Sequence, residues 1–134
     1  MAGYSETTLA KKLGIKPGNT ICVLNSPEGF LETLGAELTH VRVVKGLVDD
    51  ADVIHVFVKA KSDLESSFPH LKSVLGKPHA LWISWPRKIS GIETDLNENV
   101  IRDIGIRNGL VDVKVCAIDE VWSGLKFVYR LKDR

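Results

Sequence analysis

Apolar positions in this chain fall into short continuous runs, separated by stretches with helical spacing, and the two patterns alternate. Thr20–Leu24 carries Ile21-Cys22-Val23-Leu24 without a polar break, as in a strand buried on both faces. Asp52–Val58 and His79–Trp85 are runs of the same kind, and Leu38–Val44 is a thinner one built on Val41, Val43 and Val44. Val111–Ile118 and Leu125–Leu131 come last. The short loop between them predicts an antiparallel pair.

The intervening stretches read as helices with recognisable ends. Leu9, Ala10 and Leu13 form one stripe, with Ser5 as N-cap, Glu6 in the first turn and Gly14 as the stop. A short helix near 27–34 is capped by Ser26, starts at Pro27 and ends at Gly35. Ser62-Asp63-Leu64-Glu65 has capping-box spacing and opens a helix with Leu64, Phe68, Leu71, Val74 and Leu75 on one face. Pro69 is expected to kink or restart that helix, and Gly76 to end it. Asp95-Leu96-Asn97-Glu98 is a second capping box, before a helix that buries Leu96, Val100, Ile101 and Ile104 and stops at Gly109.

The alternation predicts a single-domain α/β fold over residues 1–134. Its core is a Rossmann-like, mostly parallel sheet of about six strands, with helices on both faces and the last strand antiparallel. One join is tight. The seven residues 45–51 span at most about 23–25 Å when extended. That barely allows a parallel third strand on the far side, so antiparallel pairing of the second and third strands is the alternative.

Composition adds boundaries rather than a function. At 134 residues, 44% apolar and 26% charged, the chain can bury a real core. A formal charge of +1 gives no global field for nucleic acid or an anionic membrane. There is no apolar run near ~18 residues, and the first residues lack the pattern of a signal peptide. Cys22 and Cys116 lie in apolar strands and read as buried free thiols, which together with the rest suits a cytoplasmic protein.

Four stretches carry a resemblance to a known order of elements. Pro17-Gly18-Asn19-Thr20-Ile21-Cys22-Val23-Leu24 looks like the lead-in and first strand of class I S-adenosylmethionine-dependent methyltransferases. Ala51–Phe57 looks like that family's fourth strand, Leu75–Ile83 its fifth and Gly109–Val115 its sixth. The resemblance implies a reduced methyltransferase-like domain, short by one strand–helix unit. The chain as a whole also resembles a family of small bacterial proteins with no assigned function. That likeness rests on Gly3-Tyr4-Ser5, Leu9–Ile15, Trp85-Pro86 through Thr94-Asp95-Leu96, and Lys114–Asp119 with Trp122-Ser123-Gly124-Leu125.

Two features depart from the methyltransferase pattern. The loop after the first strand, Asn25-Ser26-Pro27-Glu28-Gly29, holds one glycine where close approach of backbone to cofactor favours several. Glu28 puts negative charge at the start of the next helix. The acidic residue that holds ribose hydroxyls in the family is replaced by Val43-Val44-Lys45-Gly46.

Ligands of open α/β sheets bind beyond the carboxyl ends of the strands. On the predicted sheet that rim collects Asn25, Ser26, Lys59, Lys61, Trp85, Arg87, Lys88, Asp119, Trp122 and Ser123, with Glu120 beside them. The first helix can bring Tyr4 and Ser5 to the same edge. Such a rim could hold a small anion, a nucleotide-like ring or a protein partner. The competing reading solvates the lysines and buries the tryptophans. His40, His55, His70 and His79 show no metal spacing, no serine sits in a nucleophile elbow, and no phosphate loop is present. The residues therefore favour a non-catalytic binding module, with a reduced methyltransferase-like enzyme as the alternative. Cofactor and oligomeric state stay unspecified, and nucleic acid is disfavoured.

Overall fold

The computed structural model describes residues 8–134. Its strands are β1 (Thr20–Leu24), β2 (Arg42–Val44), β3 (Ala51–Phe57), β4 (Leu75–Pro86), β5 (Leu110–Ala117) and β6 (Trp122–Tyr129). They form one sheet in the order β2-β1-β3-β4-β6-β5. Pairings β1–β2, β1–β3 and β3–β4 are parallel, and β6 runs antiparallel to both β4 and β5. This is the predicted mostly parallel α/β sheet with one reversed strand.

Helices α1 (Leu9–Lys12) and α2 (Phe30–Leu34) cover one face; α3 (Lys61–Val74) and α4 (Glu98–Arg107) cover the other. The pleat sorts each strand between two cores. Ile21, Val23, Val53, Phe57, Trp82 and Trp122 pack with α1 and α2. Cys22, Ile54, Val56, Leu81, Ile83 and Trp85 pack with Phe68 and Leu71 of α3 and Ile101 and Ile104 of α4. The two strand-end tryptophans thus lie on opposite faces.

Several local expectations are corrected. The second strand is only three residues long, because 35–38 forms a 3-10 turn. Strands β2 and β3 do not pair: both flank β1 in parallel, so the antiparallel alternative is overturned. Residues 45–50 need cross only one strand, about 10 Å sideways. Leu47 and Val48 pack into the α3/α4 core on the way, and the Val48 amide donates to Cys22 Sγ. Helix α2 starts at Phe30 behind a left-handed Gly29, so Ser26 and Pro27 neither cap nor open it. The expected cap at Ser5 lies outside the described residues; Thr8 caps α1.

Helix α3 runs through Pro69 unbroken. Phe68 and Leu71 are buried on either side of it, so packing carries the helix across the missing hydrogen bond. Neither expected capping box forms. The N-cap of α3 is Ala60, and the Lys61 amide donates to Asp95 Oδ1 at 2.7 Å. Asp95 therefore serves a helix 34 residues upstream, while Asn97 caps α4 through the Val100 amide. Asp95→Ala should cost about 1 kcal/mol in chemical denaturation, the usual loss for an N-terminal cap. Ser62→Ala should cost at most a few tenths.

Chain ends of the last hairpin also shift. The turn spans 118–121 and β6 begins at Trp122, so Trp122 and Ser123 are strand residues and not loop residues. They pair with Pro86 and Trp85 of β4.

Candidate functional site

Strand order reverses direction between β1 and β3, and there the carboxyl edge of the sheet opens into a cleft of about 540 Å³. Asn25 and Pro27 reach it from the loop after β1, and Phe57 and Lys59 from the end of β3. Asp63 and Ser67 come from the first turns of α3, and Trp122 from the start of β6. A pocket of this size and mixed lining suits a small organic ligand.

Asn25 shapes the entrance. Its backbone is left-handed (φ 58°), a conformation that asparagine tolerates better than most residues. Its side-chain amide donates to the Phe57 carbonyl at 3.4 Å, tying the loop after β1 to the end of β3. The buried Phe57 ring meets Trp122 edge-on, with centroids 5.1 Å apart, and Pro27, Val58 and Trp122 add apolar lining to the cleft. Lys59 and Asp63 bring opposite charges into the same cleft.

Beside the buried Phe57 ring lies a polar pair. His55 stacks under Phe57 at 4.5 Å, and its Nε2 lies 2.6 Å from Ser84 Oγ. The imidazole is 2% exposed, and burial lowers its pKa to about 3, so it is neutral at physiological pH. Neither His55 nor Ser84 lines the cleft. Burial also pushes the Cys116 thiol upward, against the pull of Lys12 and Lys114, which makes it a poor nucleophile.

Of the residues placed on the rim by sequence, Asn25, Lys59 and Trp122 meet in this cleft. Ser26 turns away into a smaller hollow with Glu28 and Lys45. Lys61 sits in the first turn of α3, with its amide held by Asp95. Trp85 is buried on the opposite face from Trp122, and Ser123 pairs with it across the sheet. The Arg87 guanidinium donates to the Asp119 carbonyl, and Asp119 Oδ1 accepts from the Val121 and Trp122 amides. Arg87 and Asp119 thus brace the β5–β6 turn. Lys88 is exposed on the 3-10 turn after β4. Tyr4 and Ser5 lie outside the described residues.

Sequence reasoning missed Phe57, Asp63 and Ser67. The signal was present: Asp63 and Ser67 are four apart, on one face of a helix that starts just past a strand end. Taking 62–65 as a capping box hid it.

No protein-family model matches the chain. No curated protein matches it either. Solved structures do. A TehB-like SAM-dependent methyltransferase from Corynebacterium glutamicum superposes with a TM-score of 0.60 at 13% identity, over 96% of this chain and 91% of that one. Magnesium protoporphyrin IX methyltransferase from Synechocystis, with bound SAH, has a TM-score of 0.60 at 13% identity, over 91% of this chain and 80% of that one. A SAM-dependent methyltransferase from Aquifex aeolicus gives 0.57 at 17% identity, over 89% and 86%.

The fold is that of the SAM-dependent methyltransferases. Against that methyltransferase fold, the two departures seen in the sequence acquire positions. Glu28 lines the neighbouring hollow and not the cleft, so its charge does not face the cleft interior. Lys45, next after β2, opens onto the same hollow, and β2 supplies no carboxylate at its carboxyl end. No helix among the described residues is long and apolar enough to cross a membrane.

Proposed function

We propose that the chain is a reduced S-adenosylmethionine-dependent methyltransferase that holds its adenosyl ligand in the cleft between Asn25 and Lys59. The observation that carries this reading is where the cleft lies. It sits at the switch point, beyond the carboxyl ends of β1 and β3, the place where open α/β sheets take ligands. The left-handed Asn25 gives the loop after β1 the backbone turn that glycine gives elsewhere.

The lining fits such a ligand in most respects. Pro27, Val58 and Trp122 offer apolar lining to the adenine, Lys59 a cation to the carboxylate, and Asp63 an anion to the amino group. The ribose has no carboxylate from β2, so its hydroxyls fall to the polar groups of Asn25 and Ser67. S-adenosylmethionine, when bound, supplies an electrophilic methyl group. The chain's own part is to bind it, orient it and exclude water.

A second reading keeps the ligand and drops the transfer. One observation favours it: among the described residues, Asp63 is the one carboxylate in the cleft, and no histidine joins it to move a proton.

A thermal-shift screen with S-adenosylmethionine and S-adenosylhomocysteine tests the binding. Ligand at 100 times its dissociation constant should stabilise the fold by about 2.7 kcal/mol, a rise of several degrees. Lys59→Ala should reduce that rise. Incorporation of labelled methyl from S-adenosylmethionine into small acceptors separates the two readings. Binding without incorporation favours the second, and no shift with either ligand removes both.

A further inference from the structure

We propose a second site, for a phosphate-class anion, at the amino end of the sheet, far from the cleft in fold position and independent of the function proposed for it. A hollow of about 280 Å³ lies there, between the turn after α1 and the start of the central strands. Lys16 and Asn19 line it from the turn, Asp52 from β3, His79 from β4 and Lys126 from β6.

The register makes the charge pattern unusual. Lys126 stands directly opposite Lys114 on β5, with Trp82 of β4 on its other side. Like charges directly opposite on neighbouring strands destabilise a sheet, and natural strands usually alternate or oppose them. Lys16 adds a third ammonium group from the turn. None of the three lysines has a carboxylate partner among the described residues. Lys126 is also half-buried, and burial, with Lys114 and Lys16, holds its pKa below the usual lysine range.

The acids nearby are already committed. Asp52 Oδ2 accepts from the Thr20 amide at 2.8 Å, and its Oδ1 lies 3.3 Å from His79 Nε2. His79 lines the hollow with its Nε2 turned to Asp52, while its buried Nδ1 faces Gly76 and Asp50 away from the lining. The hollow therefore carries two ammonium groups without carboxylate partners on its lining, Lys16 and Lys126, with Lys114 directly across the strand pair from Lys126. An anion with several charged oxygens can pair with both lining ammonium groups at once. Lysines act as point charges without a fixed fork, which suits a compact tetrahedral anion better than a planar carboxylate. The volume takes a phosphate group with at most a small organic remainder. Lys16→Met, Lys114→Met and Lys126→Met keep the aliphatic stems and remove the charges.

The test is a titration of the whole chain, followed by amide and side-chain NMR, with inorganic phosphate and separately with glycerol 3-phosphate. Sodium chloride of matched ionic strength is the control. Saturable shifts at Lys126, Asn19 and His79 are expected, and Lys126→Met should weaken binding at least tenfold. Without anion, Lys126→Met and Lys114→Met should each raise Tm, because a like-charge pair is relieved. Equal binding of the two anions identifies free phosphate as sufficient, and binding of the ester alone identifies a phosphorylated small molecule; both support the site. Shifts reproduced by chloride, no saturable shift with either anion, or undiminished binding in Lys126→Met would overturn it.

Discussion

Replacing Gly105 with alanine should destabilise the protein by about 1–3 kcal/mol, although the same exchange in an exposed helix stabilises by up to about 1 kcal/mol. The sign reverses because α4 lies directly on the sheet at this point. A Cβ on Gly105 would come within 2.0 Å of Phe127 Cε1 and 2.5 Å of its Cζ. The Phe127 ring is fully buried and cannot swing into solvent. It is also held edge-on by Phe68 of α3, with centroids 5.6 Å apart. Relief of the clash must therefore move α4, α3 or β6. Urea denaturation of Gly105→Ala measures the loss. Phe127→Leu in the same chain should recover part of it, since the smaller side chain vacates the space. A Gly105→Ala protein as stable as the parent would show that α4 sits farther from β6 than described.

Acid should weaken the fold well before its carboxylates are protonated, and His55 is the reason. In the unfolded chain its pKa is near 6.5; in the folded protein burial lowers it to about 3. Below pH 6.5 the unfolded state takes up a proton that the folded state refuses. Stability is therefore full above pH 6.5 and falls as pH drops toward 3. A shift of this size corresponds to roughly 5 kcal/mol over the whole interval. The double variant His55→Leu/Ser84→Ala removes both members of the buried pair, so no polar group is left unpartnered. Its stability should change much less between pH 6.5 and 4 than that of the parent. Equal slopes in the two proteins would mean that other groups control acid unfolding.

The sheet was legible in the sequence because its strands are buried on both faces. Runs such as Ile21–Leu24 and Ala51–Phe57 have few other places to go. The caps were not legible, because capping was read locally and the protein caps at long range. Asp95, placed in a box of its own, closes the first turn of α3 across 34 residues. Pro69 misled for a related reason: tertiary packing of Phe68 and Leu71 outweighs a local preference.

The rim was legible as an edge and not as a pocket. Strand ends give the edge directly, and Asn25, Lys59 and Trp122 follow from it. Which of two faces a strand-end side chain takes depends on register, and a change of one residue reverses it. Trp85 and Trp122 fell on opposite faces for that reason, and the three-residue shift in the start of β6, from Leu125 to Trp122, could not be read from composition. Asp63 and Ser67 enter the cleft because α3 begins immediately after β3, a tertiary fact that a capping pattern obscures.

The central claim is that the cleft between Asn25 and Lys59 holds an adenosyl ligand. Isothermal titration with S-adenosylhomocysteine tests it most directly, using the parent, Ser67→Phe and Lys88→Ala. Ser67→Phe fills the cleft from α3, whereas Lys88 lies on the exposed turn past β4 and does not line it. The account predicts saturable binding to the parent at one site per chain, retained in Lys88→Ala and lost in a folded Ser67→Phe. No heat of binding in the parent, or unchanged affinity in Ser67→Phe, would contradict it.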